Sequence, residues 1–350
     1  MIRLAASHAQ VGMELAMAIV DAFGNAIYKE GTELTPEHIG KLPMHGVREI
    51  FVTNPLLDDI PVEPLVPPEL EAKAAQALRT VLEEAGFANT VEPAVIEQAV
   101  QPGYEMAKPL FPRVLGELNS APISPAAEYN FLMPARTASL AAMLAARMGL
   151  DMDTTGHICV GALLMDVGIA RIIAGSEESE RNKHPVYSYV MLKDMPFITP
   201  ITIATILQHH ERLDGSGFPQ GLKGDAINMG ARIVAVAETY YNLISSRPDH
   251  EAWSRQDAME YIMAFGGELF DADVVQAFVR SVPAYPTGIL VRLNTGETGY
   301  VIDAGIGQIG RPTLRMVSDK DGFKIDNLFE FNLTDEKHRH RIVEDAVEYG

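Results

Sequence analysis

The sequence has few of the residues on which secreted and nucleic-acid-binding proteins depend. Its 350 residues include one cysteine, Cys159, so no intramolecular disulfide can form, which is typical of a reducing compartment. Lysine and arginine number 28 against 47 aspartates and glutamates, a formal charge of −19 at pH 7. Nucleic acid polymers and anionic membranes bind clustered cations, so this balance argues against both as bulk partners. A small anionic ligand needs only a few converging cations.

Long apolar runs are also missing. The N-terminus lacks the apolar core of a signal peptide, and charges such as Arg147, Asp166 and Arg171 interrupt the apolar stretches further along. Hydrophobic residues make up 47% and charged residues 21% of the chain, which is the composition of a folded globular protein. We therefore expect a cytoplasmic protein with no membrane insertion.

The first half of the chain divides into two segments. Residues 1–60 predict a small α/β domain, with a hairpin around Phe23-Gly24-Asn25 and a helix beginning at Thr35-Pro36. Residues 61–122 begin with a proline-rich linker and continue with helical periodicity. The simplest role of these connecting helices is packing or formation of a homodimer.

The second half changes from helical to strand-like patterning. Residues 123–282 have helical apolar spacing interrupted by short loops, and residues 283–350 alternate as strands do. The last segment predicts two β-hairpins followed by a short polar helix near 335–348. The expected fold is mainly α, with an all-helical core between a small N-terminal α/β unit and a C-terminal β-hairpin appendage.

Chemically useful side chains are concentrated in the third segment. The sequence His209-His210-Glu211-Arg212-Leu213-Asp214-Gly215-Ser216-Gly217-Phe218-Pro219 places two imidazoles where a helix meets a glycine-rich turn. Successive side chains within a helix diverge by about 100°, so two adjacent histidines can face one ligand only where the helix ends. The glycine-rich turn provides that end. Asp166 and His184 lie at two further junctions of helix and turn. One carboxylate and three imidazoles are enough for a single transition metal.

This segment resembles the HD-GYP domains, a branch of the HD superfamily of metal-dependent phosphohydrolases whose members cleave cyclic di-GMP. The resemblance is most specific from His209 to Pro219, and His184-Pro185, Gly221 to Gly224, Ile227 and Arg247-Pro248 support it. It implies an all-helical HD-type core. It also implies a signature loop that contains Asp214, Gly215, Gly217, Phe218 and Pro219, with phenylalanine in place of the usual tyrosine.

The departures from the family pattern fall at metal positions. The resemblance implies that Met133 and Met165 replace ligand histidines. It also implies that Glu238 replaces an aspartate ligand and Ile169 a lysine. A thioether is a poor ligand for Fe or Mn, so one metal site of the family is dismantled. The other keeps its full set of ligands: Asp166, His184, His209 and His210.

These residues predict at most one bound metal. We expect a divalent transition metal, Fe or Mn with Zn or Ni as alternatives, and no second metal; Glu238 is a further candidate ligand. Cations that would face the phosphates of cyclic di-GMP are Arg212, Lys223, Arg232 and Arg247. In the alternative interpretation the histidines are hydrogen-bonded helix ends without metal and the cations are solvated or ion-paired.

Three functions are compatible with this pattern. The first is a catalytically impaired module that binds cyclic di-GMP or a signalling partner such as a GGDEF-type domain. The second is a phosphodiesterase with residual activity, which uses Glu238 in a nonstandard metal arrangement. The third is a scaffold with neither metal nor nucleotide. The replacements at Met133, Met165 and Ile169 favour the first.

Overall fold

The computed structural model describes residues 1–20, 26–45, 47, 49–60, 66–88, 90–111, 129–172, 177–245, 251–305 and 307–346. The predicted turn Phe23-Gly24-Asn25, the proline-rich stretch 61–65 and Arg247 lie outside these ranges. Statements about the structure below refer to the described residues.

An α/β unit forms the N-terminal part. Its elements in chain order are β1 (Ile2–Ala5), β2 (Ile19–Val20), β3 (Ala26–Tyr28), α1 (Pro36–Lys41) and β4 (Glu49–Val52). β1 pairs antiparallel with β4, and β2 with β3. The predicted helix start is confirmed, because the Thr35 hydroxyl accepts a hydrogen bond from the amide of His38 at 3.2 Å.

A bundle of helices follows. They are α2 (Pro68–Ala88), α3 (Pro93–Glu105), α4 (Tyr129–Arg147), α5 (Met152–Leu164), α6 (Glu178–Arg181), α7 (His184–Leu192), α8 (Pro200–Gln208), α9 (Met229–Ile244), α10 (Arg255–Ala264) and α11 (Ala272–Val279). α4 and α8 each pack against α5 and α9. α2 and α3 lie against α4 and α5, so the expected connecting helices share one apolar core with the rest. None of the described helices has the length and hydropathy needed to cross a bilayer.

A five-stranded antiparallel sheet forms the C-terminal part. Its strands are β5 (Leu290–Leu293), β6 (Thr298–Asp303), β7 (Thr313–Ser318), β8 (Glu330–Asn332) and β9 (Val343–Ala346), in the order β8-β7-β6-β5-β9. The hairpins are confirmed, but the polar helix expected near 335–348 is wrong. A single 3-10 turn covers Glu336–His338, and β9 pairs with the free edge of β5, where Val343 is buried opposite Leu293. A short polar helix without an apolar face to pack is only marginally stable, whereas pairing with β5 satisfies backbone groups of this segment and buries Val343.

The N-terminal unit and the C-terminal sheet share a second apolar core. Leu290 and Tyr300 of the sheet pack with the buried residues of β1 and β4. Arg315 on β7 also reaches across, donating to the carbonyl of Leu56 at 2.7 Å and to both carboxylate oxygens of Asp59 at 2.6 and 2.8 Å. The same guanidinium contacts Glu330 at 2.8 Å. The two ends of the described chain are therefore joined to each other as well as to the bundle.

The Arg315 ion pair predicts a dependence of stability on pH. Hydrogen bonds from Arg315 lower the pKa of Asp59 to about 2. Because the folded-state pKa lies below the unfolded value of about 4, the pair stabilises the fold above about pH 4 and loses that effect as the pH falls from there towards 2. We expect Asp59→Asn to lower the urea midpoint at pH 7 and to have a smaller effect at pH 3.

The matched control for this prediction is Asp58→Asn, since Arg315 forms its ion pairs with Asp59 and Glu330. The control should leave the urea midpoint nearly unchanged at both pH values. An equal effect of Asp59→Asn at pH 7 and pH 3 would show that the pair does not stabilise the fold.

Candidate metal centre

Three helix boundaries meet at one place in the bundle. Asp166 lies in the turn after α5, His184 is the first residue of α7, and His209 and His210 follow the last residue of α8. A proline in the first turn of α7 and of α8 favours a helix start there. Thr199 caps α8 by accepting a hydrogen bond from the backbone of the following turn.

The turn that carries Asp166 is packed closely onto α7. A Cβ atom on Gly168 would lie 2.3 Å from the carbonyl oxygen of His184, so only glycine fits there. Ser188 of α7 accepts a hydrogen bond from the Gly168 amide at 2.8 Å and donates one to the carbonyl of Met165 at 2.7 Å. These contacts fix Asp166 relative to His184.

The four side chains converge on one point. The Nε2 atom of His184 lies 3.2 Å from Nε2 of His209 and 3.2 Å from Nε2 of His210. Oδ1 of Asp166 lies 3.1 Å from Nε2 of His184 and 3.7 Å from Nε2 of His209. The ligand atoms of the three histidines all lie within 4.8 Å of one another, which is close enough to hold a metal ion.

The tautomers of two histidines suit metal binding. Nδ1 of His184 lies 2.8 Å from the carbonyl of Arg181, and Nδ1 of His209 lies 2.7 Å from the carbonyl of Ile206. Because a carbonyl can only accept, Nδ1 carries a proton in both rings, and Nε2 presents a lone pair whenever the ring is neutral. Two lone pairs that face each other at 3.2 Å repel unless a proton or a cation lies between them. This donor set fits a divalent transition metal.

The electrostatics keep two imidazoles in the ligand form. Burial lowers the pKa of His209 to about 4 and lowers that of His210 well below its usual value. Burial also acts on His184, but the hydrogen bond and charge of Asp166 outweigh it and raise the pKa of that ring. His184 in turn holds the pKa of Asp166 below its usual value, against the effect of burial. Neutral imidazoles and an ionised carboxylate are the forms that bind metal.

Glu238 of α9 lies beside the cluster. Its side chain is buried, with Oε2 at 3.7 Å from Nδ1 of His210 and without a hydrogen-bond partner among the described residues. The other oxygen accepts a hydrogen bond from Asn242 at 3.3 Å. Burial, followed by the charge of Asp166, raises the pKa of Glu238 to about 7. A carboxylate without a partner at this position could contact a cation in the cluster.

The side chains of Met133, Met165 and Ile169 offer little to a second metal. Met133 and Met165 are both buried in the apolar core, and the sulfur of Met133 accepts a hydrogen bond from the Thr137 hydroxyl at 3.3 Å. Ile169 lies on the short 3-10 helix after Asp166 with 41% of its surface exposed. An aliphatic side chain there supplies no positive charge.

The signature loop packs against the last of the histidines. Phe218 stacks on His210 with ring centroids 4.5 Å apart, and Pro219 follows it. Gly215 has a φ of +84°, a conformation that favours glycine. Asp214 accepts hydrogen bonds from the amide and hydroxyl of Ser216 and so stabilises the turn. The ring of Phe218 is the part of the loop that touches the cluster.

The predicted phosphate-binding cations have different surroundings. Arg212 donates to the backbone carbonyls of His209 and Glu211. Arg232 forms ion pairs with Asp271 and Asp225, each at 3.0 Å. Lys223 is exposed, and its alkyl chain lies beside Gly215. Arg212 and Arg232 are thus engaged within the protein, whereas Lys223 extends from the loop towards solvent.

Two positioning residues were missed at the level of sequence. Glu211 is buried and accepts hydrogen bonds from the amides of Gln220 and Leu222. The position of Glu211 between the double histidine and the glycine-rich loop is a sequence signal for a residue that connects the two. Ser188, which holds the turn of Asp166, carries no comparable signal, because a serine on an apolar helix is common.

Comparison with known proteins agrees with this geometry. A family model described as an HD domain matches residues 121–274. A cyclic di-GMP phosphodiesterase of Pseudomonas aeruginosa is 30% identical over 186 residues, which cover 50% of this chain and 45% of that protein. The cyclic di-GMP phosphodiesterase response regulator RpfG of Xanthomonas campestris is 36% identical over 157 residues, 41% of each chain. This chain thus spans less than half the length of these relatives.

Among solved structures, a protein from Bdellovibrio bacteriovorus described as an HDG"Y"P protein matches with a TM-score of 0.48 and 15% identity, covering 79% of this chain and 97% of that one. The region matched by the HD-domain model includes Asp166 and the three clustered histidines. The two curated relatives described above are named as cyclic di-GMP phosphodiesterases. Residues 121–274 of this chain thus match an HD domain, and the chain is similar in part to cyclic di-GMP phosphodiesterases.

Proposed function

We propose that this chain is a catalytically impaired HD-GYP protein that holds one divalent transition metal and binds cyclic di-GMP in the cytoplasm as a signalling module. The observation that carries the proposal is the asymmetry of the site. Three histidine Nε2 atoms face one point beside Asp166. Met133 and Met165, which by the family resemblance stand where active relatives have further imidazoles, are buried in the apolar core. Thioethers do not replace imidazole as ligands of Fe or Mn.

The impairment follows from what the remaining residues can do. A metal bound here would supply Lewis acidity and lower the pKa of a bound water, but two-metal hydrolysis also uses a second ion to stabilise the phosphoryl oxygens. Carbonyls of Arg181 and Ile206 orient two of the ligand rings, and Asp166 adds negative charge. Ile169 provides no cation for the charge that develops on a phosphoryl group. These residues favour binding over turnover.

Nucleotide binding is supported by the relatives, which are named as phosphodiesterases of cyclic di-GMP. In this chain, Lys223 extends from the signature loop and could meet a phosphate. The exposed side of the same loop, which includes Asp214 and Ser216, is available to a protein partner such as a GGDEF-type domain.

A second candidate, residual phosphodiesterase activity, is favoured by Glu238. Its unpartnered oxygen lies 3.7 Å from Nδ1 of His210, inside the apolar wall of the site. A carboxylate in that position could assist a metal-bound water or contact an ion directly. Turnover by this route would depend on both His209 and Glu238.

Metal binding gives the first test. The chain stripped with chelator should bind a single Mn(II) or Zn(II) ion in calorimetry, and His209→Ala should abolish binding. At a metal concentration 100 times the Kd, the wild type should gain about 2.7 kcal/mol of stability in thermal unfolding. His340→Ala, which removes an exposed histidine outside the bundle, is the control. Stability indifferent to metal and chelator would leave a scaffold function.

Turnover gives the second test. The protein is purified anaerobically and supplied with Fe(II) or Mn(II) and cyclic di-GMP, and linear pGpG and GMP are followed by chromatography beside an active HD-GYP enzyme. We expect saturable binding of cyclic di-GMP without product above the level of His209→Ala. Product that disappears in both His209→Ala and Glu238→Gln would instead support the second candidate.

A further inference from the structure

The three imidazoles of the cluster are oriented in different ways. His184 and His209 each donate from Nδ1 to a backbone carbonyl three residues earlier, at 2.8 and 2.7 Å. His210 has no such bond among the described residues, and the carboxylate nearest to its Nδ1, that of Glu238, is 3.7 Å away. This distance is too long for a hydrogen bond. Something other than the backbone must therefore hold the ring of His210.

The signature loop provides that contact. Phe218 stacks on His210 with an interplanar angle of 29°, and its ring lies 6.5 Å from that of His184. The amide of Phe218 also donates to the carbonyl of His210 at 3.3 Å. Stacking restricts rotation of the imidazole about its side-chain bonds, so Nε2 remains directed at the other two histidines.

The loop is itself held by one buried carboxylate. Glu211 is 2% exposed, and its two oxygens accept from the amides of Gln220 at 2.8 Å and Leu222 at 2.9 Å. Hydrogen bonds from backbone amides to an ionised carboxylate are about twice as strong as neutral ones. The bonded amides follow Phe218 in the sequence, whereas Glu211 precedes it, so the carboxylate joins the two ends of the segment that carries the ring.

Close backbone packing completes the arrangement. A Cβ atom on Gly217 would lie 2.4 Å from the carbonyl oxygen of His210 and 2.5 Å from Cα of Glu211. Only glycine permits the loop to lie this close to the helix end. The backbone contact at Gly217 and the carboxylate of Glu211 therefore both hold the loop against the helix end.

We infer that Glu211 is a positioning residue for His210, acting through the amides of Gln220 and Leu222 and the stacked ring of Phe218. The carboxylate does not touch the point where the Nε2 atoms converge. It closes the loop, the loop places Phe218, and Phe218 fixes the third imidazole. The metal-affinity part of this inference rests on the proposed function, whereas the placement of the loop and ring does not.

The first experiment measures hydrogen exchange in the loop and the NMR signals of the His210 ring in the metal-free protein. Glu211→Gln keeps the shape of the side chain but replaces one accepting oxygen with an NH₂ group. That group cannot accept from the backbone amide of Gln220 or Leu222 that it would face. Hydrogen exchange at Gln220 and Leu222 should accelerate roughly tenfold to hundredfold, and the ring signals of His210 in NMR should shift or broaden while those of His184 do not. Glu83→Gln, which removes an exposed carboxylate on α2, is the isosteric control.

The second experiment uses Co(II) alone as a probe of the ligand geometry. Glu211→Gln should weaken Co(II) binding roughly tenfold to hundredfold and alter its visible spectrum. Phe218→Ala should reproduce both changes, and Phe218→Tyr, which keeps the aromatic ring, should retain wild-type behaviour. If Glu211→Gln does not fold, the pair of Phe218 variants decides whether the stacked ring orients His210.

The outcomes separate this inference from the proposed function. Wild-type protein that binds no Co(II) would overturn the proposed metal site, and the exchange and ring signals would still test Glu211. Normal exchange in Glu211→Gln, or a loosened loop with unchanged His210 ring signals, would overturn the inference even if Co(II) binds. Loss of Co(II) binding with an unchanged loop would also contradict it.

Discussion

The centre depends on the close contact between the turn after α5 and the start of α7. A Cβ on Gly168 would have no room beside the His184 carbonyl. The Ser188 hydroxyl accepts a hydrogen bond from the Gly168 amide and donates one to the Met165 carbonyl, at the two ends of the turn. This contact sets the distance between Asp166 and His184, and the remaining histidines complete the cluster from the end of α8. A shift of one element would open the cluster, because the Nε2 atoms are separated by little more than a hydrogen-bond length.

The surroundings of the cluster are chemically one-sided. The cluster itself consists of a carboxylate and of rings, two of which have their Nδ1 atoms fixed by backbone carbonyls. Met133 and Met165 are buried in the apolar core of the bundle. Glu238 lies beside the cluster, with a raised pKa because it is buried near Asp166. Such a site can hold an ion and keep it dry, but it has few groups that gain strength as a transition state forms. This distribution supports the proposal that the site retains binding and has reduced chemistry.

Much of the helical core and its cluster could be predicted from the sequence, because the signature loop and helix-end histidines are local patterns. The ion-pair partners of the predicted phosphate-binding cations could not be predicted. Arg232, for example, forms its ion pair with Asp271, which is 39 residues away. The strand Val343–Ala346 cannot be recognised from its own residues, because it is stabilised by pairing with β5, about 50 residues earlier in the chain. The attachment of Arg315 to Asp59 spans 256 residues and leaves no periodicity to detect. Long-range pairing decided each of these cases.

The shared core of the N-terminal unit and the C-terminal sheet has a consequence for the order of folding. Residues of the N-terminal unit such as Leu15 and Leu34 form most of the apolar core around β1 and β4, and Leu290 and Tyr300 complete it. The early strands therefore cannot bury their side chains fully until those two residues have been synthesised. The helical bundle between them draws on contacts closer in sequence. During translation, the apolar surface that these strands present to Leu290 and Tyr300 would stay exposed until then and would need protection from aggregation.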